Sequence, residues 1–194
     1  LFGYIIGLPM GIVLTVTDKD GIRPNAAVYK VLDVISNLLR SIPFIILLIV
    51  LIPFTRFVVG RSYGSTATIV PLTIAAAPYI ARMVESSLKE VDAGVIEAAR
   101  SMGASDFQIV TRVMLVEART SLIVGATISL GTILGYSAMA GTVGGGGLGD
   151  IAIRYGYTRW QTDIMVVTVV LLVILFQIFQ TIGMKIANRL DRRK

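Results

Sequence analysis

Two long runs of uncharged, mostly apolar residues constrain the fold of this chain more than any other feature. Ser62 to Ala81 and Ile164 to Met184 contain no Asp, Glu, Lys or Arg. A helix needs about 20 such residues to cross the hydrocarbon core of a bilayer. Three further candidates are Leu1 to Thr17, Val31 to Phe54, and a segment from near Thr120 to the glycines at 144–147. The sequence therefore predicts an all-α membrane protein with five transmembrane helices.

The composition supports a membrane protein and excludes several chemistries. Apolar residues make up 55% of the 194 residues and charged residues only 15%, against about 25% charged residues in ordinary soluble domains. The chain has no Cys and no His, which excludes disulfides, thiol nucleophiles and His metal ligands. It starts at Leu1 inside an apolar run and without an initiator Met, so we expect the first helix to be truncated at its N-terminus.

Basic residues predict the orientation of the chain in the membrane. They are richest in the first loop, the third loop and the C-terminal tail. The first loop has Lys19, Arg23 and Lys30, and the third has Arg82, Lys89, Arg100, Arg112 and Arg119. The tail has Lys185, Arg189, Arg192, Arg193 and Lys194. Because Lys and Arg concentrate on the cytoplasmic side, the N-terminus is predicted outside and the C-terminus inside. The net charge of +6 is spread over these flanks, which argues against nucleic acid as a partner.

Small residues and prolines predict how the helices pack and bend. Gly3, Gly7 and Gly11 recur at four-residue spacing, as do Gly131 and Gly135. Small residues on one face allow helices to approach closely, although glycine is also simply common in membrane helices. Prolines interrupt the second and third segments and predict kinks there, at positions Pro43, Pro53, Pro71 and Pro78.

The second segment also carries two charges near one end, Asp33 and Arg40, two turns apart. Charged groups at membrane depth are costly and are usually paired or functional. The alternative is that the long Arg40 side chain extends to the membrane interface, where its charge stays hydrated.

The longest cytoplasmic segment, residues 89–119, is predicted to form a helix–turn–helix. Asp92 can cap the first helix, and Gly103 suits the left-handed residue that ends it. Ser105 and Gln108 have the spacing of a capping box for the second helix. One face of the first helix is predicted to be lined by Val95, Ala99 and Met102. A short amphipathic pair on the cytoplasmic side is a natural docking element.

This segment resembles the signature loop of permeases of ATP-binding cassette (ABC) importers. That loop reads Glu-Ala-Ala, three residues, Gly, nine residues and an Ile-x-Leu-Pro ending. The matching residues are Glu97, Ala98, Ala99, Gly103 and Leu115. Val113 replaces Ile, and Val116 replaces the usual Pro. The resemblance implies coupling helices that dock into a groove of an ATPase subunit, and it assigns that role to the five matching residues.

A narrower resemblance, to the permeases of methionine importers, covers almost the whole chain. It lies in Arg40 to Leu48, Ile52 to Arg56, Ile69 to Thr73, Ala76 to Pro78, Ile80 to Glu85, Gly135 to Met139, Val143–Gly144, Gly147 to Gly149 and Tyr155 to Tyr157. It implies one transmembrane domain, residues 1–194, with the type I importer fold, in a bacterial inner membrane. It also implies a homodimer, two ABC ATPase subunits that bind ATP and Mg²⁺, and an external substrate-binding lipoprotein. The implied substrate is methionine, in the L and possibly the D form.

A glycine-rich segment, Gly144 to Gly149, formally satisfies the dinucleotide-binding pattern G-x-G-x-x-G. That pattern indicates nucleotide binding only between a strand and a helix, and here it follows a membrane span. We therefore expect a flexible external or re-entrant loop. The chain has no G-x-x-x-x-G-K-[ST] motif, so it is predicted to bind no ATP and to be no enzyme by itself.

The end of the fourth segment is a candidate for the transport pathway. The candidate residues are Tyr136, Ser137 and Met139. They lie at the end of the helix that follows the coupling loop, just before the glycine-rich segment. Met139 is flexible and polarizable, which suits a gate that repacks between states. The alternative is ordinary packing of Met139 against a neighbouring helix.

Three alternative functions remain open from the sequence. The first is a permease for another small amino acid or a related solute. The second is an ion-coupled carrier, which usually shows inverted repeats and acidic groups near the midplane; neither is evident here. The third is an intramembrane enzyme, for which no Ser/Lys pair or paired Asp stands out in the spans. An ATPase subunit that copurifies would separate the importer permease from the carrier and the enzyme.

Overall fold

The structure is a computed structural model that describes residues 1–141 and 144–190, and this part of the chain is helical without strands. Of the residues discussed above, Val143, Arg192, Arg193 and Lys194 lie outside it. The helices are α1 (Phe2–Thr17), α2 (Ala26–Ser41), α3 (Phe44–Val50), α4 (Ile52–Val59), α5 (Ser65–Lys89), α6 (Ala93–Ser101), α7 (Asp106–Gln108), α8 (Leu115–Glu117), α9 (Arg119–Ala140), α10 (Gly147–Ile151) and α11 (Thr162–Leu190). Two π-helical segments, Ile109–Met114 and Ala152–Tyr157, join α7 to α8 and precede the turn into α11.

Three of these helices are long and apolar enough to cross a membrane by themselves. They are α5, α9 and α11, whose mean hydropathies reach 1.5, 1.6 and 2.5. The pair α2 and α3 counts as a fourth span if the two bent helices are taken together, whereas α1 is apolar but only 16 residues long. The all-helical membrane fold is therefore confirmed, and the count of five spans stays a prediction.

The second predicted segment, Val31 to Phe54, is not one helix. Its residues belong to α2, α3 and α4, and the axes of α2 and α3 meet at 105°. The break falls at Ile42 and Pro43, whose backbones are extended with ψ of 124° and 133°. Proline disfavours the helical conformation in the residue before it. The ring of Pro43 therefore ends α2, and the kink predicted at this proline is a full break between two helices.

Glycines allow α1 to pack closely against α5. A Cβ atom on Gly7 would lie 2.7 Å from the carbonyl oxygen of Ala77, and one on Gly11 would lie 2.5 Å from that of Ala81. Both distances are shorter than van der Waals contact. The predicted packing role of the first glycine run is thus confirmed. Of the second run, Gly131 packs against the ring of Phe176 in α11, whereas a Cβ on Gly135 would meet nothing within 4 Å.

One buried cluster joins the long apolar helices to the helix–turn–helix of residues 89–119. Ile80, Val84 and Leu88 of α5 pack with Ile109 and Met114 of the π-helical segment. Each such side chain contributes roughly 1.5–3 kcal/mol when it leaves water. The helix–turn–helix is therefore packed firmly against the C-terminal part of α5.

Candidate coupling site and pathway

The candidate coupling element is the helix–turn–helix of residues 89–119. Its first helix, α6, begins and ends as its sequence predicts. The Asp92 carboxylate accepts a hydrogen bond of 2.7 Å from the Gly94 N–H. At the other end, Gly103 has a φ of +83°, a conformation that costs little only for glycine. Its N–H donates to the Arg100 carbonyl, and the next N–H, that of Ala104, donates to the Ala99 carbonyl. These bonds satisfy carbonyl groups that the helix end would otherwise leave unpaired.

The second helix of the element continues almost directly into α9. The predicted capping box is present, because the Ser105 hydroxyl accepts from the Gln108 N–H and the Gln108 side chain accepts from the Ser105 N–H. Beyond α8, the Ala118 N–H donates to the Met114 carbonyl and the Leu122 N–H donates to the Ala118 carbonyl. With Val116 at the position of the usual proline, the backbone hydrogen bonds run on into the membrane helix.

The five motif residues occupy different environments. Ala99 is 5% exposed and packs in the cluster beneath α5, and Leu115 is half-buried against the same cluster. Glu97 and Ala98 are exposed, and a Cβ on Gly103 would meet nothing within 4 Å. Ala99 and Leu115 therefore anchor the element, whereas Glu97, Ala98 and Gly103 are accessible to a partner.

The predicted inward face of α6 needs a correction. Of its three residues only Ala99 is buried; Val95 is exposed and Met102 is 82% exposed. Met102 lies after the last residue of α6, so helical periodicity no longer fixes its direction. It lies in the same turn region as Phe107, which is 77% exposed. These two large apolar side chains form an exposed apolar tip, and the aromatic residue beside the capping box was the signal that sequence reasoning missed.

A cavity of about 450 Å³ separates α6 from the loop that follows α1. Glu97 and Arg100 line it from one side, and Asp18 and Gly21 line it from the other. The Arg100 guanidinium bridges the two sides by donating a 2.9 Å hydrogen bond to the Ile22 carbonyl. The loop is therefore held against the coupling element.

An ion-pair network near the C-terminal end of α5 is the main feature that the sequence did not reveal. Arg82 pairs with Asp33 of α2 and with Glu85, and Lys89 pairs with Glu85 at 2.8 Å and with Asp18 at 2.6 Å. Glu85 is 4% exposed and also accepts from the Tyr29 hydroxyl. This network ties α2 and the end of α1 to α5.

The expected relation between Asp33 and Arg40 changes accordingly. Asp33 lies 49 residues from its partner Arg82, so no local pattern indicates the pair. Arg40 is exposed, in agreement with a side chain that extends to the membrane interface. In the loop, the hydrogen bond from Lys89 lowers the pKa of Asp18, an effect opposed by partial burial of the carboxylate.

The pathway candidates on α9 lie at its C-terminal end and face different surroundings. The Tyr136 ring stacks on Phe44 of α3, with centroids 4.6 Å apart and planes 9° apart. Ser137 is exposed and Met139 is 50% exposed. Tyr136 therefore packs within the chain, whereas Ser137 and Met139 reach the surface of a single subunit.

The glycine-rich segment packs tightly against the end of α9. Gly144, Gly146 and Gly147 have φ between +75° and +83°, and the Gly145 N–H donates to the Ala140 carbonyl. The Gly64 N–H donates to the Gly144 carbonyl and links this segment to the turn before α5. No strand precedes the glycines in residues 1–141 or 144–190, so the requirement of a dinucleotide loop is not met.

Comparison with known proteins defines the class to which this fold and site belong. Residues 7–194 match the family described as the binding-protein-dependent transport system inner membrane component. The match covers nearly the whole chain, including the coupling element and all long helices. The chain belongs to this family of membrane components of binding-protein-dependent transport systems.

Individual relatives narrow the comparison. The probable D-methionine transport system permease protein MetI of Vibrio cholerae is 49% identical over 191 residues, which are 98% of this chain and 85% of that protein. The D-methionine transport system permease protein MetI of Escherichia coli K12 is 56% identical over 140 residues, which are 72% of this chain and 64% of that protein.

Solved structures give the same picture. A chain of the MetNI methionine ABC transporter, in a crystal form with inward-facing conformations, superposes with a TM-score of 0.97 at 52% identity. It covers 98% of this chain and 88% of that one. An amino acid ABC transporter crystallised with histidines has a TM-score of 0.74 at 20% identity and covers 97% and 87% of the two chains; this shows the shared fold alone.

Proposed function

We propose that this chain is the membrane permease subunit of an ATP-driven importer of methionine. The observation that carries the proposal is its close superposition on a chain of the MetNI methionine ABC transporter. Relatives named for D-methionine transport, at about half identity over most of their length, support the substrate and include the D enantiomer. A permease for another small amino acid is the second candidate, and the uptake assay below distinguishes the two.

Residues 89–119 serve as the coupling loop of this single domain, and Glu97, Ala98 and Gly103 contact an ATPase subunit. The exposed tip of Met102 and Phe107 supports this role, since large apolar side chains on a polar turn are costly unless a partner covers them. Ala99 and Leu115 hold the loop onto α5. ATP and Mg²⁺ are bound by the ATPase, because this chain has no P-loop motif.

Transport then requires that nucleotide binding in the ATPase shifts this subunit between two conformations. ATP can do so only through contacts that differ between the two states. The continuous hydrogen bonding from α8 into α9 supports a route for this motion, since a displacement of the docked loop moves α9 with it. Ser137 and Met139 then lie at the outer end of the moving helix, where they line and gate the pathway.

The subunit works as a homodimer with two ATPase subunits and an external binding lipoprotein. One copy has too few helices to enclose an amino acid, whereas a two-fold axis would place the pathway between two copies. We assign five spans to each copy by counting α1 and the bent pair α2–α3 together with α5, α9 and α11. Basic residues between the spans support an outside N-terminus and an inside C-terminus in the bacterial inner membrane.

Reconstitution tests the function directly. The chain would be copurified with its genomic-neighbour ATPase, inserted into liposomes with the binding protein, and assayed for ATP-dependent uptake of L-methionine, D-methionine and other amino acids. We expect methionine uptake that requires ATP and is outcompeted by no other amino acid. Uptake of another amino acid without methionine uptake would favour the second candidate, and uptake driven by an ion gradient without ATP would overturn the permease.

The docking role of the coupling loop needs a separate test with a matched control. Gly103 and Gly60 both have φ near +80° and open space around the Cβ position, so valine at either costs about 1–2 kcal/mol of backbone strain. We expect Gly103→Val, combined with Glu97→Ala, to abolish ATPase copurification and substrate-stimulated hydrolysis. Gly60→Val should leave both intact. Survival of both properties in the loop variant would show that the ATPase docks elsewhere.

A further inference from the structure

A small cavity lies between helices α4 and α5. It has no role in the transport cycle proposed for this chain. Its volume is about 20 Å³, and it lies below the turn at Ser62 and Tyr63 that connects the two helices. Room for one water molecule requires roughly 10–15 Å³. The cavity is therefore large enough for one water and too small for an amino acid or another solute.

A buried hydroxyl group in the wall of this cavity has no hydrogen-bond partner in the protein. Thr55 of α4 is 3% exposed, and its Oγ1 atom is buried and unpaired. The cavity wall beside it includes the apolar side chains of Leu48 and Ile52. A buried polar group without a partner is unfavourable, and nearly all such groups in proteins are satisfied by protein or by ordered water.

Thr55 also differs from other helical threonines of this chain. Helical threonines commonly donate their hydroxyl proton to the carbonyl four residues earlier, as Thr15 does to Gly11 and Thr127 does to Ile123. Thr68, on the opposite wall of the cavity, does the same with Gly64. The Thr55 hydroxyl instead stays out of reach of its own helix backbone, and it lines the cavity.

The opposite wall supplies a second group that needs a donor. Pro71 lies inside α5 and lines the cavity together with Ala67. Because proline has no N–H, the carbonyl of Ala67, four residues earlier, lacks the donor that a regular helix provides. Within apolar segments of membrane proteins such freed carbonyls are satisfied by side chains or by ordered water. The Thr55 hydroxyl and the carbonyl that Pro71 deprives of its donor thus belong to residues that line the same water-sized space.

We propose that this cavity is a binding site for one ordered water molecule that bridges α4 and α5. The water donates one hydrogen to the Ala67 carbonyl, accepts a hydrogen bond from the Thr55 hydroxyl, and can donate its second hydrogen to the Thr68 hydroxyl oxygen. Three bonds are typical of buried waters. The site supplies a donor to the Ala67 carbonyl, which Pro71 leaves without its usual one, and the water adds a link between the two helices.

The first test is a structure of the purified complex at a resolution that shows ordered water. We expect a density peak within hydrogen-bond distance of both Thr55 Oγ1 and the Ala67 carbonyl oxygen. The peak should persist in Thr55→Ser, which keeps the hydroxyl, and disappear in Thr55→Val, which has the same shape without it. An empty cavity in the unaltered protein, or a Thr55 hydroxyl bonded to the Leu51 carbonyl, would overturn the proposal.

The second test is thermodynamic and uses the two prolines of α5. Pro71→Ala restores an N–H for the Ala67 carbonyl, whereas Pro78, the other proline inside α5, does not line this cavity. Thr55→Val should lower the melting temperature of the complex in the unaltered protein and in Pro78→Ala, and by a smaller amount in Pro71→Ala. If Thr55→Val lowered the melting temperature equally in the unaltered protein, in Pro78→Ala and in Pro71→Ala, no molecule would connect Thr55 to the carbonyl that Pro71 leaves without a donor. Neither readout depends on which solute is transported.

Discussion

At the scale of single residues, three glycines determine how closely α1 approaches α5. Gly7 and Gly11 leave no space for a Cβ because backbone carbonyls of α5 lie opposite them. Such contacts bring in van der Waals attraction between backbones, which is a main source of helix association in membranes. The four-residue spacing made this packing predictable, since residues i and i+4 share one helix face.

Gly7→Ala is expected to destabilise the protein by about 1–3 kcal/mol, the usual cost of inserting a methyl group into a packed interface. Gly135→Ala is the matched control, because it also lies in a membrane helix but its Cβ would meet nothing within 4 Å. Thermal unfolding of both variants in the same detergent measures the difference. Equal melting temperatures for the two variants would mean that α1 and α5 separate or shift at little cost.

The Asp18 carboxylate gives stability a defined pH dependence. Its folded-state pKa is lowered by the hydrogen bond from Lys89. A carboxylate of this kind contributes stability above its unfolded pKa of about 3.9, and the contribution is lost as the pH falls through the lower folded value. Between pH 8 and 5 we expect no change from this group. Asp18→Asn should be less stable than the unaltered protein at pH 7, and the difference should shrink below about pH 4. A difference that is constant down to pH 3 would assign the effect to something other than ionisation.

At the scale of helices and loops, the ion-pair network makes α1, α2 and α5 one unit. Glu85 is the central residue, because it lies between two cations and is nearly inaccessible to solvent. The helix α2 contributes few buried side chains of its own, with Ser36 the one that is fully buried among its described residues. Its position on α5 therefore depends strongly on the charged contacts.

Glu85→Gln should destabilise the protein by about 3 kcal/mol, since it removes the buried anion that Arg82 and Lys89 share and leaves each with a single carboxylate partner. Glu90→Gln is the control, because Glu90 is exposed and lies just after the same helix. Chemical or thermal unfolding measures both changes. A second variant, Arg82→Gln with Glu85→Gln, should cost less than the sum of the two single changes. Strict additivity would contradict the network.

Local and distant interactions account for what the sequence could predict and what it could not. The Asp92 cap, the left-handed Gly103 and the capping box at Ser105 depend on residues within four positions, so the pattern of residue types was sufficient. Asp33 finds its partner 49 positions away, and the 105° bend at Pro43 depends on where α3 packs. A proline in the sequence predicts a break but not its angle. The exposure of Met102 and Phe107 was likewise unpredictable from periodicity, because both lie at helix ends.

At the scale of the whole molecule, most of the apolar surface of α11 and part of α9 is not covered by the rest of the chain. In the most hydrophobic 18-residue stretch of α11 only 6% of the residues are buried, and in the corresponding stretch of α9 only 17% are. In a bilayer such surfaces contact lipid or another subunit. Met139 lies on the exposed part of α9, close to the region where a second copy would meet the pathway in the proposed dimer.

Met139→Cys tests this arrangement, and the absence of native cysteines makes the result unambiguous. We expect the introduced cysteine to crosslink to its twin in the nucleotide-free complex and to lose the crosslink when ATP and the binding protein trap the outward state. Phe57→Cys, on an exposed position of α4, serves as a control for random collision. No crosslink from position 139 in either state, together with normal transport, would remove Met139 from the pathway.

The hydrogen bonds that Ala118 makes on both sides, to Met114 and from Leu122, have a mechanical consequence. The 22 residues of α9 form a rod about 33 Å long at 1.5 Å per residue. Near its N-terminal end the rod is tied to α11 by the hydrogen bond from Arg119 to the Leu190 carbonyl. A tilt of about 10° around that end would move the C-terminal end by roughly 6 Å over that length, which is the width of one side chain. In the importer proposed for this chain, small rotations of the coupling element would thereby be converted into strokes large enough to open or close a passage at the C-terminal end of α9.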